Sequence, residues 1–287
     1  MFNSSNSDAD SLKAKYKNYN NFRGNSSSES YSFSSNDDSD VKIPKIIMQT
    51  WVDNDIPDKW KCSPESIKKM MPDWEYILMT DEDNRKFVKK HFPDFLKYYD
   101  NFPYNIQRVD SIRYMFLYIK GGLYMDLDYE ILHPIDSLFT SDNDVYLVTS
   151  GNVSSYLTNS FMASKPGCKL WLDCIEDMKK PLPYYCVGKH LRVMNSTGPI
   201  MLTHTVIQSN IVYAMLPVKL IAPCSVCNIT RKIEGAYFRQ LEGSSWITYD
   251  TKIYIFFMCN YKQLLIAIGL ILLVILIALL MQWCGLC

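Results

Sequence analysis

The sequence has no excess of charge of either sign: 30 Lys and Arg stand against 30 Asp and Glu in 287 residues. That balance excludes the basic stripe by which proteins hold nucleic acid, and no nucleic-acid partner is expected. Residues 1–40 have few aliphatic side chains and are rich in Ser, Asn and Asp. They cannot bury enough surface to offset their ordering entropy, which predicts a disordered tail. They also lack an apolar segment flanked by basic residues, so no signal peptide is expected there. The nine cysteines include Cys224-Ser225-Val226-Cys227, but no second pair stands at zinc-ribbon spacing. Between Leu264 and Met281 no charged residue occurs at all. A run of that length matches the roughly 20 apolar residues that cross a bilayer. It predicts a single C-terminal membrane anchor over residues 262–284, with Trp283 at an interface.

What is present between these two segments is enough for one domain, over residues 41–260. Overall, 48% of the residues are hydrophobic, enough to build a core. The stretch around which it is organised is Gly121-Gly122-Leu123-Tyr124-Met125-Asp126-Leu127-Asp128. It reads as a tight glycine turn followed by a short strand. Side chains alternate faces along a strand, so Leu123, Met125 and Leu127 point into a core and Tyr124, Asp126 and Asp128 point the other way. Two carboxylates ending an apolar strand are costly without a cation. Hard divalent ions such as Mg²⁺ and Mn²⁺ prefer carboxylate oxygens and leave positions open for phosphates. Phosphatases of the haloacid-dehalogenase type also end a strand with Asp-x-Asp, but they usually carry Thr or Val two residues after the second Asp. Glu130 stands there instead.

The preceding segment, Pro103 to Lys120, is predicted as a helix ended by Gly121. Val109, Ile112, Phe116 and Ile119 recur at helical spacing as one apolar face. Asp110 and Arg113 are neighbours on its surface, and Arg113 falls at the edge of the apolar face, where it needs anionic partners. Ahead of this helix, Ile43 to Trp51 reads as the first core strand. A helix is predicted from Asp58 to Met71 and a strand from Trp74 to Met79. An acidic helix start follows at Asp81-Glu82-Asp83. Beyond the motif, Val145 to Thr149 reads as a strand and Gly167 to Met178 as a helix, and His133 and His204 read as structural. Alternating strands and helices argue for an α/β domain. The turn Ser196-Thr197-Gly198-Pro199 opens another helix, where free backbone N–H groups can receive an anion.

Taken together, Pro103 to Tyr114, the glycine pair and Asp126-Leu127-Asp128 resemble the DXD sugar transferases of glycosyltransferase family 32. Within that family the resemblance is greatest to the inositol phosphorylceramide mannosyltransferases, over about residues 43–205. The spacing of Asp110, Arg113, Asp126 and Asp128 also resembles the clostridial glucosylating toxins. Ile43 to Trp51 is similar to the family's first strand, except that Met48 stands where the family usually has His. Glu242 to Trp246 is similar to its closing Gly-Ser-Trp segment, again without the preceding His; Arg239 and Gln240 lie there instead.

The resemblance implies a GT-A-like α/β nucleotide-sugar transferase domain. It implies transfer of a hexose, with retained anomeric configuration, from a nucleotide sugar such as GDP-mannose. Asp126 and Asp128 would hold Mn²⁺ or Mg²⁺, with Asp110 and Arg113 in the same pocket. Trp51, Gly198, Ser245 and Trp246 would contact the donor. The acceptor would be a membrane lipid such as inositol phosphorylceramide, or a glycan. Two alternatives stay open: transfer from a UDP-sugar to a protein or glycan, and a membrane protein with a catalytically degenerate domain. On the membrane side, Lys252 and Lys262 precede the span and no charge follows it, which predicts a cytosolic domain. The family analogy places it in the lumen. The sequons at Asn152, Asn195 and Asn228 bear on that choice, although Asn195 lies inside a family motif.

Overall fold

Two glycines decide where the central strand can sit. In the computed structural model, Gly121 and Gly122 adopt φ of +66° and +88°. A Cβ on Gly122 would lie 2.5 Å from the Ile46 carbonyl oxygen, and one on Gly121 2.7 Å from the Pro166 nitrogen. Any other residue would push the strand that follows away from its neighbours. The structure describes residues 43–139, 143–149, 156–221, 235–243 and 245–283. The expected tail at 1–40, the Cys224–Cys227 pair and the sequons at Asn152 and Asn228 lie outside them.

The central strand β3 (Gly122–Met125) pairs in parallel with β1 (Ile46–Thr50), which pairs in parallel with β2 (Glu75–Met79). On its other side β3 pairs antiparallel with β6 (Phe161–Ser164). Beyond β6 stand β5 (Val145–Leu147) and β7 (Ala214–Met215), giving the order β2-β1-β3-β6-β5-β7. A separate two-stranded ribbon joins β4 (Tyr129–Ile131) to β8 (Phe238–Gln240). The α/β class is as expected.

Six helices surround the sheet: α1 (Cys62–Met70), α2 (Asp81–His91), α3 (Leu96–Asn101), α4 (Asn105–Lys120), α5 (Lys169–Asp177) and α6 (Gly188–Ser196). They are joined by α7 (Pro199–Ser209) and the short α8 (Val218–Ile221). Strand alternation divides the core. Tyr124 and Met48 pack on the face covered by α4, α5 and α7, whereas Leu123, Met125 and Ile47 pack with Ile67, Phe139 and Phe238 on the other. The acidic start of α2 is a capping box: Thr80 accepts from the Asp83 N–H and Asp83 reaches back to Thr80.

Two expectations need correction, while the expected anchor over 262–284 lies almost wholly within one longer helix. The helix α4 is not one-sided: Asp110 through Leu117 are all buried, because the sheet holds one flank while α5, α6 and α2 cover the others. A 3.6-residue stripe cannot describe a helix enclosed on every side. His204 is exposed on α7 rather than packed. The C-terminal helix, α9 (Tyr249–Trp283), begins well before the apolar run and continues the same helix for 35 residues. It is the one described helix long and apolar enough to cross a membrane, and none of its apolar window is buried.

Candidate functional site

The strand β3 ends at Met125, so Asp126 and Asp128 lie in the turn that follows rather than in the strand. The Tyr129 N–H closes that turn on the Asp126 carbonyl at 3.3 Å. Three groups fix the Asp126 backbone. Its N–H donates to the Ser160 carbonyl at 2.9 Å. Its carbonyl accepts from Gln49 Nε2 at 3.2 Å, and Gln49, fully buried, is itself held by Ser63 and by the Tyr76 hydroxyl.

On the side chains, alternation survives one residue past the strand: Tyr124 donates its hydroxyl to Asp126 Oδ1 at 2.5 Å. Arg113 reaches the same oxygen with Nη1 at 3.2 Å, and holds Asp110 Oδ1 with Nη2 at 3.2 Å. Nη1 also donates to the Asn159 carbonyl at 2.8 Å, and the guanidinium lies over the Tyr124 ring. Arg113 is 4% exposed. A cation so deeply placed is sustained only by the two carboxylates it touches. Asp110 is 3% exposed and its remaining capacity is taken by Asn159 Nδ2 at 3.0 Å and Thr197 Oγ1 at 2.9 Å. Burial pushes the Asp110 carboxyl up to about 6, against the pull of Arg113 and of these hydrogen bonds. Asp126, whose side chain is 30% exposed, faces the opening of the cluster. Its carboxyl is also raised by its surroundings, with Arg113 and Tyr124 opposing.

Asp128 is held differently. Its backbone carbonyl accepts from Leu241 at 2.6 Å and its Oδ2 accepts from Gln240 Nε2 at 3.3 Å. Its Oδ1 is buried without a hydrogen-bond partner. Burial first, and then the Asp126 charge, raise its carboxyl to about 7. Gly243 packs so tightly on it that a Cβ there would overlap the carboxylate. The loop carrying Gly243 is tied back by Trp60, whose indole N–H donates to the Glu242 carbonyl at 2.9 Å. Trp51, at the end of β1, stands edge-on to Trp60 at 5.0 Å and so borders the same loop.

The donor set fits a hard divalent cation. Two carboxylates converge, one of their oxygens is orphaned in a buried position, and among the described residues no basic side chain forms an ion pair with Asp128. Among the described residues no group of three His, Cys, Asp or Glu side chains converges, so further protein ligands would have to be amide or backbone oxygens.

The remaining expected residues divide. The Gly198 N–H is already bonded to the Val193 carbonyl at 3.0 Å, as is that of Thr197 at 3.1 Å, so this turn offers neither of these N–H groups to an anion. Its contribution is the Thr197 hydroxyl on Asp110. Ser245 is exposed. Trp246 stacks on His190 at 5.7 Å and nearly parallel, and its carbonyl accepts from Lys189 Nζ. His190 in turn lies 4.6 Å from the Tyr254 ring, and its backbone N–H donates to Asp250, which joins α6 to the first turn of α9. Met48 is buried apolar core, with no polar counterpart of the family's histidine.

Comparison with known proteins places this geometry. The glycosyltransferase sugar-binding region containing the DXD motif matches residues 57–145. Inositol phosphoceramide mannosyltransferase 1 of Schizosaccharomyces pombe is 31% identical over 229 residues, covering 78% of this chain and 68% of that protein. The chain belongs to this family of DXD sugar transferases. Inositol phosphoceramide mannosyltransferase 3 of the same yeast is 34% identical over 237 residues, covering 79% of this chain and 62% of that one. The chain thus spans about three-fifths of the length of some of the relatives it matches. Among solved structures, the PaToxG glycosyltransferase aligns with 18% identity and a TM-score of 0.39, over 58% of this chain and 70% of that one. In this chain, Gln49 and Asn159 carry no signal in the sequence, because each acts on Asp126, Arg113 or Asp110 through a contact between segments far apart. Tyr124 shares the face of Asp126, as alternation predicts, and its hydroxyl bond to that carboxylate is the added finding.

Proposed function

We propose that this chain transfers a hexose, mannose from GDP-mannose, to the inositol phosphate headgroup of a ceramide lipid, with retained anomeric configuration and with a divalent ion at Asp126 and Asp128. The observation that carries the reading is the orphaned, buried Oδ1 of Asp128 beside the anchored carboxylate of Asp126. When bound, Mn²⁺ or Mg²⁺ would neutralise the diphosphate as the glycosidic bond breaks. The protein's own part is positional. Arg113 spends its charge on Asp110 and Asp126, so it locks Asp126 in place rather than offering a free cation to the phosphates. Asp110 has its oxygens engaged and anchors Arg113. Trp51 supplies an aromatic face for the base, and Gly243 closes one side of the site against the Asp128 carboxylate.

The relatives' printed substrates support the lipid acceptor, and α9 supports membrane attachment, with an apolar stretch matched to a bilayer. The test is transfer by the full chain in lipid nanodiscs, with radiolabelled GDP-mannose or UDP-sugars and inositol phosphorylceramide. Mannosylated lipid from GDP-mannose supports the reading. Transfer from a UDP-sugar alone redirects the donor, and no transfer to any acceptor favours a degenerate domain.

A further inference from the structure

A cavity of about 380 Å³ lies between α3, the start of α4, the segment after α5 and the second half of α6. Four basic side chains line it: Lys97, Lys179, Lys180 and Arg192. Lys179 and Lys180 are ion-paired with Glu176 and Asp177. Among the described residues, Arg192 has neither an ion pair nor a hydrogen bond, and Lys97 meets only the Tyr98 ring. Two of the four cations therefore have no acid of their own.

The floor of the cavity is a relay of hydrogen bonds that runs in one direction. The Tyr104 backbone N–H donates to Gln107 Oε1 at 3.3 Å, and Gln107 Nε2 donates to Ser196 Oγ at 2.7 Å. A backbone N–H is only a donor, so it fixes which end of the Gln107 amide faces Ser196. Ser196 is thus the acceptor in that bond, and its own O–H is left to donate elsewhere. Ser196 is 8% exposed, yet among the described residues no acceptor meets that hydrogen. A buried donor left unused is costly, and a ligand that accepts from it recovers the cost.

We infer that this cavity binds a phosphate ester, with Arg192, Lys97 and the Ser196 hydroxyl on the phosphate oxygens. The donors reach in from α3, from the middle of α6 and from its end, which suits a tetrahedral anion better than a planar one. The Arg192 fork matches two phosphate oxygens at once. Phe102, Met178 and Leu182 add apolar wall, which suits an ester with an organic part. The cavity also adjoins the ion-pair cluster. Thr197, whose hydroxyl holds Asp110, follows Ser196 directly, and Gln107 stands one helical turn before Asp110 on α4. The ligand this position favours is the phosphodiester of the acceptor lipid. That tie to the acceptor rests on the transfer reading above; the phosphate site itself does not.

Titration calorimetry on the full chain in maltoside micelles, with inositol 1-phosphate, inorganic phosphate and inositol as probes, tests the site without reference to turnover. Wild type should bind inositol 1-phosphate, inorganic phosphate more weakly, and inositol not at all. Arg192→Ala should weaken inositol 1-phosphate binding about tenfold, the scale of one hydrogen bond to a charged group, and Ser196→Ala about threefold or more. Lys120→Ala, which removes an exposed lysine from the far end of α4, should leave that binding unchanged. Adding inositol phosphorylceramide to the micelles separates the sources of the phosphate. Displacement of inositol 1-phosphate by the lipid identifies the headgroup as the ligand, and undiminished binding identifies a soluble phosphate ester. A folded wild-type chain that binds neither phosphate, or an Arg192→Ala chain that binds both as wild type does, overturns the site. Absence of sugar transfer in a chain that still binds inositol 1-phosphate would instead remove the transfer reading and leave the site standing.

Discussion

The two walls of the site are built to different standards. On one wall, Asp110, Arg113 and Asp126 form a chain of ion pairs, with Asn159, Thr197 and Tyr124 bonded to the carboxylates and only the Arg113 Nε left without a partner. On the other, Asp128 has one long side-chain hydrogen bond, an orphaned oxygen and a glycine loop pressed against it. Both carboxylates of the first wall are paired. Among the described residues no basic side chain is ion-paired with the second wall's carboxylate. The contrast teaches that the two carboxylates of the motif are not equivalent: one is anchored by an ion pair and the other keeps a buried oxygen without a hydrogen bond.

The largest expected effect comes from breaking the ion-paired wall. Arg113→Ala leaves the buried Asp110 carboxylate and the partly exposed Asp126 carboxylate without their cation, and removal of one partner from a buried pair costs about 3–5 kcal/mol. The midpoint of thermal unfolding should fall by about 10 °C in a domain of this size. An unchanged midpoint would mean that the ion pairs contribute nothing to the fold.

The loop should answer in the opposite way. Gly243→Ala places a methyl group on the Asp128 carboxylate and forces the loop outward, while the core is untouched. Transfer should fall tenfold or more, with a change in unfolding midpoint several times smaller than that of Arg113→Ala. If the two variants lose stability equally, the distinction between the walls fails.

The smallest effect separates the two carboxylates directly. The Asp128 carboxyl is raised from 3.8 to about 7. A carboxyl raised in the folded state holds more protons there than in the unfolded chain, so the metal-free protein loses stability as pH rises through that window. Asp128→Asn removes the charge, and at pH 8 with chelator it should stabilise the chain, on the order of 1 kcal/mol. Asp126→Asn should not, because Arg113 loses a partner. Thermal unfolding at pH 5 and pH 8 reads the difference, and it should shrink at pH 5.

The fold was largely legible. The alternation around Leu123 to Met125, the glycine pair and the apolar run from Ile43 to Trp51 are local patterns that physics turns into strands and a turn. The Asp110–Arg113 pair was legible too, because a helix places neighbours by spacing alone. What sequence could not show was enclosure. Nothing in α4 signals that its polar side would be buried, since α5 and α6 arrive from residues 169–196. Gln49 and Asn159 were missed for the same reason. The turn at Gly198 was misread because its N–H groups close α6, a bond visible only once that helix is in place.

The central claim is that Asp128 is completed by a divalent cation. Mn²⁺ binding to the metal-free chain, measured across pH 5.5–8.5 in wild type and Asp128→Asn, tests it most directly. The account predicts that wild-type affinity rises with pH and levels off near pH 7, as the carboxyl raised to about 7 gives up its proton. Asp128→Asn should bind at least tenfold more weakly and lose that rise. Equal affinity in the two proteins, with the same dependence on pH, would contradict it.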